Sequence, residues 1–229
     1  MSKSRAFSLM ELVVVMSLLG LNIGGAFLIF RMGSRGFQQA IVKTGAVGDI
    51  HRFSRVAHRD IGLSHFNSAE VEKRQITEAG ETLERDGVGI CGLSDWSDAS
   101  NFGGTLGLPN WNRWTLFYAT DEAKGRLIRL ETQRAKPSGS LNYYPITPMP
   151  GIADLMSNDP IQLPQALRVT TLCHNVRSFS AELDTYKRIV KMTLVLHNKT
   201  GRRMTSQQTV EDYLETRVEI YPVNSYPEL

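Results

Sequence analysis

Cysteine is scarce in this chain of 229 residues, which contains only Cys91 and Cys173. The two residues form neither a CxxC redox motif nor a zinc-site spacing, so both kinds of site are excluded. Taken alone, they are either two free thiols or one disulfide. The motifs of serine hydrolases, zinc proteases, P-loop nucleotidases and dinucleotide-binding enzymes are also missing. The sequence therefore predicts a protein that is not an enzyme and that needs no cofactor or metal.

An excess of charge of one sign is lacking as well. The 26 Lys and Arg residues nearly balance the 23 Asp and Glu residues, which gives a net charge of +3. No block of about five or six like charges occurs, whereas electrostatic binding of nucleic acid depends on clustered Lys and Arg. The composition argues against nucleic-acid binding as the main role.

One long hydrophobic run is present near the N-terminus. Leu12 to Phe30 is a stretch of 19 residues interrupted only by Ser17, Asn22 and three glycines, and it is long enough to span a bilayer. A secretory signal has a shorter apolar core of about 7–15 residues that is followed by a cleavage site. Here the run continues into Arg31 instead, so it predicts a retained membrane helix.

An acidic residue, Glu11, directly precedes this run. A carboxylate at the centre of a membrane helix costs about 2.5–3.5 kcal/mol, and less near the interface, so such a group usually has a partner. Two interpretations are open from the residue alone. Either Glu11 pairs with a cation on another chain, or it marks the membrane interface of a single-pass anchor.

The segment from Lys3 to Val15, KSRAFSLMELVVV, resembles the prepilin leader of type IV pilins and type II secretion pseudopilins. It has a short basic leader, a small residue, Phe, and then Glu as the fifth residue after the cut. The resemblance implies that a prepilin peptidase cleaves between Ala6 and Phe7 on the cytoplasmic face and methylates the amine of Phe7. The family usually has Gly before the cut, so Ala6 departs from its pattern.

The same resemblance implies a role for Glu11 between subunits. In a bundle of such helices its carboxylate would neutralise the amine of Phe7 on a neighbour, because an unpaired charge is costly where the dielectric constant is low. This pair would set the axial register of a filament. The implied organisation is a leader peptide (1–6), a transmembrane and filament-core helix (7–30), an amphipathic second half of that helix (31–61) and a globular head (62–229).

Apolar residues continue at helical spacing beyond the membrane run. They recur at intervals of three or four and form one apolar face: Ala46, Ile50, Phe53, Ala57 and Ile61. The pattern predicts one helix from about residue 7 to about residue 61, whose second half packs on the head.

Strand patterns occupy the later part of the chain. Residues 114–118 and 126–132 predict a hairpin around a turn at 121–125, and the alternating segments 189–197 and 214–221 predict two further strands, with a turn at 198–201. Together they predict an antiparallel sheet with one solvent-exposed face. The predicted fold class is therefore α+β, with a long N-terminal helix packed on an antiparallel sheet, which is the plan of pilins.

Two segments lack a clear pattern. Residues 62–110 are polar and predict loops with short elements; Asp86, Asp95 and Asp98 within them lack the order of an EF-hand and predict solvated turns. Residues 137–164 hold six of the nine prolines and predict a surface loop or an edge.

The order of helix, hairpin and terminal strands is similar to that of J-type pseudopilins and W-type minor pilins. This implies a structural subunit in the inner membrane, with a cytoplasmic N-terminus and an exported head, that joins a tip or priming complex. Its partners would be other minor subunits, the major subunit, the prepilin peptidase and the inner-membrane assembly platform. An exported head further implies that Cys91 and Cys173 form a disulfide; the alternative is two buried free thiols.

Two other functions stay open at this point. In a tip adhesin or DNA-uptake subunit, aromatic residues would touch a ligand instead of packing in the core: Trp111, Trp114, Tyr143 and Tyr144. A membrane-anchored enzyme, the less favoured alternative, would need a free thiol with a low pKa.

Overall fold

The computed structural model describes residues 9–103, 107–135, 146–157, 166–202 and 209–225. The chain divides into two compact units. The first comprises Met1–Thr44 and Thr200–Val210, and the second comprises Gly45–Lys199 and Glu211–Leu229.

One long helix, α1, begins at Leu9 and ends at Gly62, which confirms the predicted N-terminal helix. Within the second unit this helix buries one apolar face, and the predicted positions are the ones that are covered: Ala46, Phe53, Ala57 and Ile61 are buried and Ile50 is partly buried. The ring of Phe53 packs edge-on against that of Phe179 with 6.1 Å between centroids. The 3.6-residue period thus fixes which side of α1 meets the sheet.

The main sheet has seven strands: β1 Glu70–Glu72, β4 Gly87–Gly92, β7 Arg113–Ala119, β8 Gly125–Gln133, β9 Ala166–Asp184, β10 Ile189–Arg202 and β11 Thr209–Ile220. Their order across the sheet is β1-β4-β7-β8-β9-β10-β11. The pairings of neighbouring strands from β1 to β10 are antiparallel. Two small ribbons lie outside this sheet, β2 Gln75–Glu78 with β3 Glu81–Glu84 and β5 Phe102–Gly103 with β6 Leu108–Pro109. A short helix, α2, spans Ile152–Ser157.

Both faces of the central strands are covered. The face toward α1 contains Phe117 and Leu127, and the opposite face contains Leu116 and Leu130, which pack in a second cluster with residues of α2. The prediction of a single solvent-exposed face is therefore wrong for β7 and β8. It holds for β11, where alternate residues from Glu211 to Glu219 are exposed.

The predicted hairpin is confirmed as β7 and β8, with Tyr118 opposite Ile128. The terminal strands are also confirmed, and the predicted inward positions Val190 and Leu194 are fully buried. The predicted turn at 198–201 is wrong, because β10 continues to Arg202.

Strand β4 lies in a segment that was predicted to be loop. Five of its six residues are buried, yet Gly87 and Gly89 weaken the strand signal. These glycines are needed for close packing: a Cβ on Gly89 would lie 2.7 Å from the Met149 sulfur and 2.8 Å from Ile152. Only glycine lets the segment containing α2 approach the sheet this closely.

The proline-rich segment is described only over residues 146–157. That part contains α2, whose Leu155 and Met156 are buried, so a predicted surface loop contributes a short helix to the core. Tyr143 and Tyr144 lie outside the described residues.

The two cysteines are free thiols, so the predicted disulfide is wrong. Cys91 lies on β4 and Cys173 on β9, with β7 and β8 between them. Three strand spacings amount to about 14 Å, whereas a disulfide needs its Cα atoms about 4.4–6.8 Å apart. The two side chains also belong to the clusters on opposite faces of the sheet.

The end of the described chain returns to the end of α1. The Val223 amide donates to the carbonyl of Gly62 at 2.9 Å, and the Phe66 amide donates to the hydroxyl of Ser225 at 2.8 Å. These bonds satisfy backbone groups just where the helix stops.

Candidate functional site

The first part of α1 presents apolar side chains in every direction. No residue from Leu12 to Phe30 is buried within the chain, and among the described residues α1 is the one helix whose length and composition would allow it to cross a membrane. An apolar surface of this size is unfavourable in water. Lipid or other apolar helices would remove this cost.

The two polar side chains of this segment are satisfied by the helix itself. The Ser17 hydroxyl donates to the carbonyl of Val13 at 2.8 Å, and the Asn22 amide donates to the carbonyl of Leu18 at 2.9 Å. In hydrocarbon an unsatisfied polar group costs several kcal/mol. These local bonds make both residues compatible with a membrane interior.

Glu11 lies in the first turn of α1 and is exposed. Negative charge is favourable there because the helix dipole places partial positive charge at the N-terminus. Ala6 and Phe7 lie outside the described residues. The cleavage between them, the methylation of Phe7 and its pairing with Glu11 therefore stay predictions.

A cleft of about 370 Å³ opens in the second unit beside the end of α1. Its lining comes from α1, from β7, β8 and β9, and from the loop after β4. The charged lining residues are four arginines, Arg59, Arg113, Arg129 and Arg168, and three carboxylates, Asp60, Asp95 and Glu131.

The inner wall of this cleft is a buried ion-pair network. Arg129 donates from Nε to Asp60 at 2.5 Å and also pairs with Glu131. Glu131 in turn accepts from Arg113 at 3.0 Å. The side chains of Asp60, Arg129 and Glu131 are each at most 10% exposed. Such pairing is required, since an isolated buried charge is very unfavourable.

Sequence patterns alone did not identify this network. The alternation in β8 placed Arg129 and Glu131 on the face predicted to be wet, whereas both face α1. In the sequence, Asp60 directly precedes Ile61, the last residue of the apolar face of α1. A carboxylate next to a buried helix position is the signal that could have indicated a cation facing this end of the helix.

The outer part of the cleft is exposed. Arg168 makes no hydrogen bond or ion pair with any residue that the structure describes, and Trp96 is 37% exposed. Asp95 accepts from the hydroxyl and the amide of Ser97 at 2.7 and 2.8 Å. These hydrogen bonds lower the pKa of Asp95, which keeps the carboxylate charged.

The three aspartates predicted to lie in solvated turns differ in their surroundings. Asp86 is buried, so the prediction is wrong for this residue: it accepts from Lys73 at 2.8 Å and from the Ala181 amide at 2.9 Å. Asp95 and Asp98 do lie in exposed turns, and Asp98 caps a short 3-10 helix by accepting from the Ser100 amide. Asp86 directly precedes β4, so its hydrogen bond with the Ala181 amide links the start of β4 to β9.

The two thiols lie in environments that keep them protonated. Burial raises the pKa of Cys91, and burial together with the nearby Asp49 carboxylate raises the pKa of Cys173 to about 12. A cysteine nucleophile needs a lowered pKa and access to solvent, and neither thiol has them.

Arg85 is fully buried just before β4. Its guanidinium has no hydrogen-bond partner within the described part of the chain, and burial lowers its pKa. The group packs directly over Gly125, where a side chain would collide with it. Arg85 is enclosed on all sides, so it offers no surface to a ligand.

The tryptophans considered for ligand binding are core residues. Trp111 and Trp114 are 3% and 6% exposed, and the guanidinium of Arg134 stacks over Trp114 at 4.6 Å. Trp96 is the more accessible ring, and it contacts Trp111 edge-on with 6.1 Å between centroids.

No protein-family model, curated protein or solved structure matches this chain. The features that bear on function are therefore the N-terminal sequence, the exposed apolar helix and the cleft.

Proposed function

We propose that this chain is a minor pilin or pseudopilin, a structural subunit of a type IV pilus or type II secretion pseudopilus that joins a tip or priming complex. The observation that carries the proposal is the prepilin-like segment from Lys3 to Val15, which leads directly into a helix that is apolar and exposed from Leu12 to Phe30. The helix is stored in the inner membrane and becomes part of the filament core on assembly.

The α+β architecture supports the same proposal. The second half of α1 packs on an antiparallel sheet, so one helix contains both a membrane-compatible segment and the part that packs on the proposed head (62–229). In this proposal Glu11 pairs with the methylated amine of Phe7 on the adjacent subunit. The prepilin peptidase, the assembly platform, the major subunit and other minor subunits are its partners.

The test of processing is the intact mass of the chain purified from membranes of cells with and without the prepilin peptidase. We expect a chain that begins at methylated Phe7 only when the peptidase is present. Ala6→Gly should be cleaved faster, because it restores the residue that the family usually has. Retention of residues 1–6 in both strains would contradict the proposal and leave a membrane-anchored binding or enzymatic domain.

The test of assembly uses two Glu→Gln variants. Glu11→Gln removes the charge that pairs with the neighbouring amine while keeping the shape of the side chain, so we expect normal cleavage but loss of recovery in sheared filaments. Glu122→Gln removes an exposed carboxylate in the turn between β7 and β8 and should assemble normally. Equal recovery of both variants would refute the register role of Glu11.

A further inference from the structure

The cleft beside the end of α1 has an inner wall whose charges are compensated. Arg129 lies between Asp60 and Glu131, and Arg113 binds the same Glu131. These four groups hold each other in place. The inner wall is therefore rigid, and the outer residues of the cleft are the ones that can interact with a ligand.

The outer residues carry uncompensated positive charge. Arg168 is exposed, stands opposite Glu131 across the β8–β9 pairing, and has no polar partner in the described part of the chain. Glu131 pairs with Arg113 and Arg129. Arg59 donates from Nε to the carboxylate of Asp60 at 2.8 Å. Counting four arginines against three carboxylates leaves the cleft with a charge of +1.

An aromatic surface adjoins these cations. Trp96 lines the cleft, and its ring is held by Trp111 and Phe102, each with 6.1 Å between centroids. A ring held in this way offers apolar contact at little cost in side-chain entropy. The cleft thus combines a guanidinium that has no partner among the described residues with an aromatic ring fixed by its neighbours.

We propose that this cleft binds an acidic peptide segment of a partner protein. A carboxylate of the segment accepts hydrogen bonds from Arg168 and Arg59, and a neighbouring apolar side chain packs on Trp96. A guanidinium matches a carboxylate with two parallel hydrogen bonds, and a volume of about 370 Å³ accommodates a few side chains. The proposal depends on the cleft alone and holds whether or not the chain is a filament subunit.

The charge count distinguishes this ligand from nucleic acid. A phosphate backbone is bound by neutralising several phosphates with free cations. The cleft has a net charge of only +1, and the carboxylate of Asp95, whose pKa is lowered by its hydrogen bonds with Ser97, lies at its rim. One or two carboxylates suit this balance better than a chain of phosphates does.

The experiment measures peptide binding to the full chain in detergent micelles by fluorescence polarisation. The probe is a fluorescein-labelled peptide of alternating leucine and glutamate, and its control has glutamine in place of each glutamate. We expect binding of the glutamate peptide and an increase in Kd of about tenfold for Arg168→Gln, the factor that about 1.4 kcal/mol produces. Arg168→Lys should give an intermediate Kd, because lysine keeps the positive charge but cannot make the two parallel hydrogen bonds of a guanidinium.

A matched variant controls for charge alone. Arg217→Gln removes one positive charge from an arginine that is 78% exposed on β11 and outside the cleft, and it should leave Kd unchanged. Equal binding of both peptides, no binding up to about 1 mM, or the same loss in Arg217→Gln would overturn the proposal. Tighter binding of a single-stranded DNA probe that also depends on Arg168 would assign the cleft to nucleic acid instead. Tryptophan fluorescence spectra of the variants confirm that each is folded.

Discussion

The ion pair between Asp60 and Arg129 should be a main link between the end of α1 and the sheet. Asp60 accepts from Arg129 at 2.5 Å and from Arg59 at 2.8 Å, and the Asp60 and Arg129 side chains are 10% and 8% exposed. The perturbation is Asp60→Asn, which keeps the size of the side chain and removes its charge. Arg129 then retains Glu131 as its remaining carboxylate.

The magnitude follows from burial. Removing one partner of a buried ion pair costs about 3–5 kcal/mol, because the other charge is left without its counter-ion. Because Arg129 keeps its ion pair with Glu131, we expect the free energy of unfolding to decrease by about 3 kcal/mol, the lower end of this range. The matched variant is Asp121→Asn: Asp121 pairs with Arg74 at 3.0 Å but is 55% exposed, and an exposed pair contributes less than about 1 kcal/mol.

The assay is urea unfolding of the full chain in detergent, followed by tryptophan fluorescence. All three tryptophans lie in the second unit, so the signal reports on the unit that contains the ion pair. Asp60→Asn should lower the urea midpoint without a change in slope. Equal midpoints for the Asp60 and Asp121 variants would refute the argument that burial makes this pair strong.

Four further predictions concern the core. Phe53→Ala should lower the free energy of unfolding by about 3–5 kcal/mol, because Phe53 is fully buried. The control is Phe37→Ala, at a side chain that is 68% exposed; it should cost less than about 0.5 kcal/mol in the same urea assay. Cys91 and Cys173 should resist a disulfide reagent in the native chain, and both should react in denaturant without reductant; finding no thiols would mean that a disulfide forms. Because the pKa of Cys173 rises from 9.0 to about 12, the unfolded chain loses this proton first, so stability measured by urea unfolding should fall as the pH rises above 9.0. Arg85→Met should raise the urea midpoint, with a gain of about 1–3 kcal/mol in unfolding free energy, because it replaces a buried guanidinium that has no hydrogen-bond partner in the described part of the chain with an apolar side chain; a lower midpoint would contradict this account.

The elements predicted from sequence are those in which one periodicity dominates. The stripe from Ala46 to Ile61 has the helical period, and the alternation at Val190 to Leu196 has the strand period, so burial follows directly from position. Both patterns are local properties of the chain. They identify a face but not what covers it.

The elements that were missed depend on partners far away in the chain. Gly87 and Gly89 are typical of a loop until the segment containing α2 packs against them. Arg129 is typical of a solvent-exposed position until Asp60, 69 residues earlier, lies beside it. β9 has 19 residues of mixed burial and no clean period. In each case the environment comes from tertiary packing, which overrides the local pattern.

The Val223 amide donates to the carbonyl of Gly62, the last residue of α1, and the Ser225 hydroxyl accepts from the amide of Phe66. These two hydrogen bonds tie the last described residues to the segment where α1 ends. Proteolytic removal of Val223 and Ser225 would leave the Gly62 carbonyl and the Phe66 amide without these partners. The turn between β9 and β10, where Tyr186 is 95% exposed, takes part neither in these two hydrogen bonds nor in the cleft. A fluorophore or epitope for following the chain in membranes is therefore better inserted there.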